Sequence, residues 1–237
     1  VQEVLPDTQV ESLIEARLGD MLPPLKGMLA NAAVKHLKKM VPDYQLPQAI
    51  AFKDVLRAGK GHSFQPAKLS LDDIAVLQYT GGTTGVAKGA MLTHGNLVAN
   101  MQQVYNCLQQ LGDDGLPLMK EGGEIMIAPL PLYHIYAFTA NCMCMMVSGN
   151  HNVLITNPRD IPGFVKELGK WKFSALLGLN TLFVALMDHP DFKNLDFSRL
   201  KVTNSGGTAL VKATAERWQQ MTGCSIVEGY GLTDTSP

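Results

Sequence analysis

Leu77-Gln-Tyr-Thr-Gly-Gly-Thr-Thr-Gly-Val-Ala-Lys-Gly-Ala-Met-Leu-Thr-His94 is a glycine- and threonine-rich turn held between two apolar runs. Its entry, Ile74 to Leu77, and its exit, Ala90 to Leu92, read as strands. Between them Gly81, Gly82, Gly85 and Gly89 permit positive φ and close backbone approach. Thr80, Thr83 and Thr84 supply hydroxyls, and Lys88 supplies a point charge. Such a loop suits a polyphosphate, because backbone amides in a glycine nest point at the anion and charge-assisted hydrogen bonds are stronger than neutral ones. The alternative for the same residues is a surface hairpin without a ligand. A Walker loop is excluded, since Lys88 lies between Ala87 and Gly89, and the spacing is not G-x-G-x-x-G.

Outward from this stretch the chain alternates. Strand-like Ile74 to Tyr79 and the glycine loop lead to a helix over Asn96 to Leu111, a strand over Glu124 to Pro129 and an apolar helix through Phe138 to Val147. Strand Asn152 to Thr156, helix Ile161 to Lys170, strand Ser174 to Gly178 and helix Leu182 to Met187 follow. Strand Lys201 to Asn204, helix Ala209 to Met221 and strand Ser225 to Glu228 complete the series. The expected class is α/β, a mostly parallel sheet with helices on both faces built from right-handed βαβ units. Leu97, Met101, Val104, Leu108 and Leu111 mark the buried face of the first of these helices, with Gly112 as its stop. Asp160 and Thr181 are the expected N-caps before Ile161 and Leu182.

Residues 1 to 70 read as a separate partial unit. From Leu25 to Met40, Leu25, Met28, Leu29, Ala32, Ala33, Leu37 and Met40 recur at helical spacing among Lys26, Lys35, His36, Lys38 and Lys39. The pattern fits a helix with a solvated basic face; the alternative is peripheral contact with a membrane surface. Residues 41 to 73 read as a connection with one short helix near Ala51 to Leu56. Residues 71 to 237 read as the larger α/β unit, which carries the glycine loop and the other polar motifs.

The 237 residues are 46% hydrophobic and 17% charged, which makes the chain globular and not disordered. A formal net charge of -1 gives no general attraction to nucleic acid, so anion binding must be local. Cys107, Cys142, Cys144 and Cys224 form no C-x-x-C pair and read as reduced structural thiols, pointing to a cytoplasmic setting. No charged residue stands between Glu124 and Arg159, yet Pro129, Pro131, His134, Asn141 and Gly149 break that stretch into pieces shorter than the roughly 20 residues a membrane span needs. The chain opens without the pattern of a signal peptide.

Three further polar motifs fall at strand ends, where open α/β sheets bind ligands. Pro129-Leu-Pro-Leu-Tyr-His-Ile-Tyr136 sets one titratable ring, His134, among apolar residues. It is either a satisfied core histidine or a group that orients a substrate carboxylate and phosphate. Asn204-Ser-Gly-Gly-Thr-Ala-Leu210 reads as strand, turn and helix start, with Ser205, Gly206 and Gly207 letting backbone approach a flat ligand and a helix N-terminus favouring an anion. Thr203 stands where G-x-S-x-G needs its first glycine, against a hydrolase elbow. In Glu228-Gly-Tyr-Gly-Leu-Thr-Asp-Thr-Ser-Pro237, Tyr230 offers a stacking face beside Gly231, Thr233 a hydroxyl to phosphate, and Asp234 a hard oxygen for Mg²⁺ or an ordinary cap.

Tyr79-Thr-Gly-Gly-Thr-Thr-Gly-Val-Ala-Lys-Gly-Ala90 resembles the nucleotide loop of the adenylate-forming superfamily, nearest to bacterial long-chain fatty-acid CoA ligases. Arg17-Leu-Gly-Asp-Met-Leu22 and Ile155-Thr-Asn-Pro-Arg-Asp160 resemble that family too. The resemblance implies ATP-dependent conversion of a fatty acid to an acyl-adenylate and its transfer to CoA, with Mg²⁺ as the metal. By the same resemblance the loop residues Thr80, Gly81, Gly82, Thr83, Thr84, Gly85, Lys88 and Gly89 hold phosphates. It places Ser205, Gly206, Gly207, Tyr230, Gly231 and Thr233 against nucleotide, and gives His134 and Thr233 catalytic roles. The family has Glu where Asp234 stands; one methylene less shortens the reach by up to about 1.5 Å and favours contact through a metal-bound water. The resemblance also implies a hinge and a lysine-bearing mobile domain after Pro237, so the segment is expected to be silent by itself and prone to self-association as a homodimer. The rival readings are a nucleotide-binding module without turnover and an adenylating ligase for another carboxylic acid.

Overall fold

The structure, a computed structural model, describes residues 1–80, 88–112 and 115–236. Two compact units divide it, Val1–Lys68 and Leu69–Pro237.

In the first unit β1 (Ile14–Glu15) pairs in parallel with β2 (Ile50–Ala51), and α1 (Pro24–Ala32) runs on into a π-helical turn at Ala33–Leu37; α2 (Phe52–Gly59) follows β2. The helix expected to reach Met40 therefore changes pitch at Ala33 and ends early, with Lys39 in the left-handed region at φ 49°. Its inward face is not the apolar one. A Cβ on Gly27 would stand 2.3 Å from the Gly19 carbonyl oxygen, and Asn31 Oδ1 accepts from the Gly19 amide at 2.7 Å. This glycine-to-glycine approach turns Leu25, Met28 and Leu29 outward, each at least 60% exposed.

The second unit opens with β3 (Ile74–Thr80) and β4 (Lys88–Thr93), which pair antiparallel in a sheet of their own, Tyr79 opposite Gly89 and Thr80 opposite Lys88. They are hairpin strands and not the first members of the parallel series, a correction to the simple alternation. Thr93 caps α3 (His94–Leu108): its hydroxyl accepts from the Asn96 amide at 3.2 Å while Asn96 Oδ1 accepts from the Thr93 amide. α3 buries Leu97 and Met101 but stops before Leu111, which is 68% exposed, and before Gly112.

Five parallel strands follow: β5 (Ile125–Ala128), β6 (His151–Leu154), β7 (Ala175–Gly178), β8 (Val202–Ser205) and β9 (Ile226–Glu228), in the order β6-β5-β7-β8-β9. Side chains alternate between two cores, as a sheet buried on both faces requires. Ile127, Val153 and Leu176 face a layer made by α6 (Ile161–Leu168), α7 (Asn180–Asp188) and α8 (Lys212–Thr222), where Phe164, Phe183 and Trp218 are fully enclosed. Met126, Ala175 and Leu177 face α3 and the segment α4 (Ile135–Ala137), π turn Phe138–Met143 and α5 (Cys144–Val147). The apolar helix expected over Phe138 to Val147 is thus two short pieces, the π turn and α5, with α4 ahead of them.

Asp160 caps α6 by accepting from the Gly163 amide at 3.1 Å, as its position before the helix predicts. Thr181 is no cap; α7 begins one residue earlier, after extended Leu179. The largest shift is at α8, which starts at Lys212 and not at Ala209. Leu210 and Val211 stay extended because Glu228 Oε1 and Asn180 Oδ1 accept their amide protons at 3.1 Å each. The chain leaves β5 for the edge strand β6 and then crosses back to β7, so the connections after β5 and after β7 cover opposite faces. The crevice beyond their carboxyl ends is the topological switch point of the sheet.

Candidate nucleotide and acyl site

The segment after β5 carries His134 to that switch point. His134 is exposed and caps α4: its Nδ1 accepts from the Tyr136 amide at 3.3 Å, leaving Nε2 directed away from the helix. Two residues on, the Tyr136 ring turns inward. Its hydroxyl donates to Asn204 Oδ1, in β8, and reaches the Asn204 carbonyl at 3.5 Å. Burial pushes the phenol well above its ordinary pKa, so it remains a donor throughout the neutral range.

Asn204 and Ser205 point to opposite faces of the sheet. Thr203 accepts from Trp218 Nε1 at 3.2 Å in the α7/α8 layer, and Ser205, two residues along, lies on the same side with its hydroxyl fully buried and without a hydrogen-bond partner among the described residues. What Ser205 presents at the sheet edge is backbone, and its carbonyl accepts from the Gly229 amide at 2.7 Å. Gly206 is buried under the Tyr136 ring: a Cβ there would stand 3.0 Å from Tyr136 Cε1. Gly207 turns the chain with φ +76°, a conformation that calls for glycine. Since α8 begins only at Lys212, no helix N-terminus stands behind this turn, and the anion-favouring dipole expected there is absent from it.

Beyond β9, Gly229 packs on Asn204, where an added Cβ would lie 3.2 Å from Oδ1. Tyr230 follows at 90% exposure, its ring open to a stacking partner, with Gly231 exposed after it. Thr233–Thr235 form a 3-10 turn that lies against β3 and β4, with Thr233 half-buried and Asp234 exposed. The third motif thereby meets the hairpin of the first. There the Thr80 hydroxyl donates to the Lys88 carbonyl at 3.4 Å, Lys88 is exposed at the start of β4, and Gly89 leaves room for the Tyr79 ring opposite. Gly81, Gly82, Thr83, Thr84 and Gly85 lie outside the described residues.

Among the described residues no group of three or more His, Cys, Asp or Glu is placed to hold a metal ion. Asp234 offers one hard carboxylate. That donor set suits Mg²⁺ in the form that takes one or two carboxylates and completes its shell with water and substrate phosphate. Tyr136, Asn204, Asn180 and Glu228 complete the arrangement, and sequence reading alone assigned none of them to the site. Only a partner 18 to 68 residues away gives each of them its place.

A sequence model of the family described as AMP-binding enzyme matches residues 1–237. The long-chain-fatty-acid–CoA ligase of Escherichia coli O157:H7 is 47% identical over 237 residues, all of this chain and 41% of that protein. The ligase of the same name from Haemophilus influenzae is 47% identical over 238 residues, with the same coverage. The chain thus spans about two fifths of the length of these relatives. Among solved structures, the anthranilate CoA ligase AuaEII in complex with anthranoyl-AMP superposes with a TM-score of 0.73 over 100% of this chain and 43% of that one, at 19% identity, a likeness of fold.

Proposed function

From the premise that this chain belongs to the AMP-binding enzyme family, we propose that the native protein carrying it activates a long-chain fatty acid with ATP and passes the acyl group to CoA. The observation that carries this reading is the convergence of the four polar motifs at the carboxyl side of the sheet, in a chain 47% identical throughout to a long-chain-fatty-acid–CoA ligase. In the first step a carboxylate oxygen of the fatty acid bonds to the α-phosphorus of ATP as the bond to pyrophosphate breaks. In the second the CoA thiol gives up its proton, its sulfur bonds to the acyl carbon, and AMP leaves.

Each turn has a task in that sequence. Thr80, Lys88 and Gly89, with the loop between β3 and β4, neutralise and hold phosphate oxygens, and Thr233 adds a hydroxyl from the adjoining turn. Gly206 and Gly207 offer backbone to the adenine, with the exposed Tyr230 ring as a stacking face. His134, its Nε2 free of the helix, orients the acid carboxylate. Mg²⁺, held through Asp234 or its bound water, would neutralise charge developing on the leaving pyrophosphate. Four free cysteines fit a reducing, cytoplasmic setting. No helix of the described residues is long and apolar enough to cross a membrane. Peripheral contact with an anionic lipid surface is part of the proposal, supported by the outward stripe Leu25, Met28 and Leu29 beside Lys26 and Lys35.

The test is acyl-adenylate formation from labelled long-chain fatty acid, ATP and Mg²⁺ in the native polypeptide, against a Lys88→Ala variant. Activity in the parent and weakened ATP use in the variant are expected. Parent-rate pyrophosphate release in Lys88→Ala would overturn the role given to the loop, and an inactive parent the whole reading.

A further inference from the structure

Asn204 touches two of the polar turns while belonging to another. Its Oδ1 accepts the Tyr136 hydroxyl from the His134 segment, its side chain fills the space a Cβ on Gly229 would need, and it directly precedes the Ser205–Gly207 turn. The ring that donates to it also covers Gly206, with Cε1 and Cζ 3.0 and 3.1 Å from where a Cβ would be. Three chain segments drawn from the ends of β5, β8 and β9 therefore meet on one carboxamide and one phenol. Neither group titrates near neutrality, since an amide carries no proton equilibrium there and burial raises the Tyr136 phenol.

We propose that Asn204 and Tyr136 are a pair of positioning residues, which set the spacing between His134, the Gly206–Gly207 backbone and the Gly229–Asp234 turn. The inference rests on the ligase reading above and deepens it. The reacting acid and the nucleotide are held by different segments, so the distance between them is fixed by whatever ties those segments together. At the described carboxyl ends, the direct side-chain tie between the β5 segment and β8 is this hydrogen bond. Loosening it leaves every contacting group in place but relaxes their mutual alignment, an effect on the rate of the bound complex more than on its formation.

The experiment compares single-turnover acyl-adenylate formation in the native polypeptide with Tyr136→Phe, Asn204→Ala and the double variant, alongside thermal melting of each. Tyr136→Phe keeps the ring over Gly206 and removes only the donor. The expected result is a fall in rate of roughly three- to tenfold in each single variant, the size of one neutral hydrogen bond. KM for ATP and melting temperature should stay at the parent values, and the double variant should be no slower than the slower single. Parent rates, multiplying losses in the double variant, or losses that track a lowered melting temperature would each overturn the pairing. An active parent with unaffected variants sinks this inference and leaves the ligase reading standing; an inactive parent sinks both.

Discussion

The two ends of the five-stranded sheet are built from different chemistry. At the amino end of β5, Glu124 is 3% exposed and fully engaged: Lys201 Nζ donates to Oε1 at 2.8 Å, the Lys120 amide to the same oxygen at 3.1 Å, and Arg199 approaches Oε2 at 3.4 Å while also donating to the Gly123 carbonyl at 2.7 Å. This is a charged lock joining the strand starts of β5 and β8. At the carboxyl end one carboxylate, Glu228, accepts the Leu210 amide, and the other joints are neutral, namely Tyr136 on Asn204, backbone of Ser205 on Gly229, and glycines where side chains would collide. Charges that satisfy one another at one end hold the strands in register, and under the proposed function the other end keeps its backbone amides, glycines and the outward Lys88 and Asp234 for a charged ligand.

Glu124→Gln should separate the two ends with the largest effect. It removes the charge that two partly exposed cations answer, and a loss of about 2 to 3 kcal/mol is expected, below the full cost of orphaning a buried charge because Lys201 and Arg199 can turn to water. Chemical denaturation measures it, with acyl-adenylate formation by the folded fraction expected at the parent rate. A parent-like stability would show that the amino end is no lock.

Acid should release the same lock. Burial alone would raise the Glu124 carboxyl, but hydrogen bonds from Lys201, Ser174 and the Lys120 amide, with the Lys201 charge, hold it below the usual carboxylate range. A lowered folded pKa means a contribution present above the unfolded value and lost as pH falls through the folded one. Stability should therefore drop on acidification below the ordinary glutamate range, and Glu124→Gln should flatten that part of the profile. An unchanged profile in the variant would assign the acid loss to other carboxylates.

At the carboxyl end, Gly206→Ala should act in the opposite sense. The new methyl meets the Tyr136 ring at 3.0 Å and must displace it by a few tenths of an ångström. We expect about a tenfold fall in turnover with a stability change within about 1 kcal/mol. A large loss of stability with normal turnover per folded molecule would erase the contrast between the ends. The smallest effect belongs to Lys201→Met: its side chain is 41% exposed, so removing the charge should cost about 1 kcal/mol or less, with Arg199 still facing the carboxylate. A cost equal to that of Glu124→Gln would show that one pair, and not the cluster, makes the lock.

Local patterns carried the alternating elements from Glu124 to Glu228 and the cap at Asp160, because periods of 2 and 3.6 and an N-cap are properties of neighbours in sequence. They also carried the residue chemistry of the glycine loop and the family, since Tyr79 to Ala90 keeps its composition whatever surrounds it. They failed where a distant partner decides. Ile74 to Thr80 reads as any strand, and only pairing with Lys88 to Thr93 takes it out of the parallel sheet. Leu25, Met28 and Leu29 recur at helical spacing as one apolar face, but the pattern does not say which way that face points until Gly27 meets Gly19 and turns it out. Leu210 and Val211 read as helix until Glu228 and Asn180 take their amides. Tyr136 and Asn204, 68 residues apart, belong to no common spacing. Composition and period belong to each segment alone, whereas which carboxamide, amide and ring meet is settled only in the fold, because a hydrogen bond across the sheet depends on the positions of two segments and on the pattern of neither.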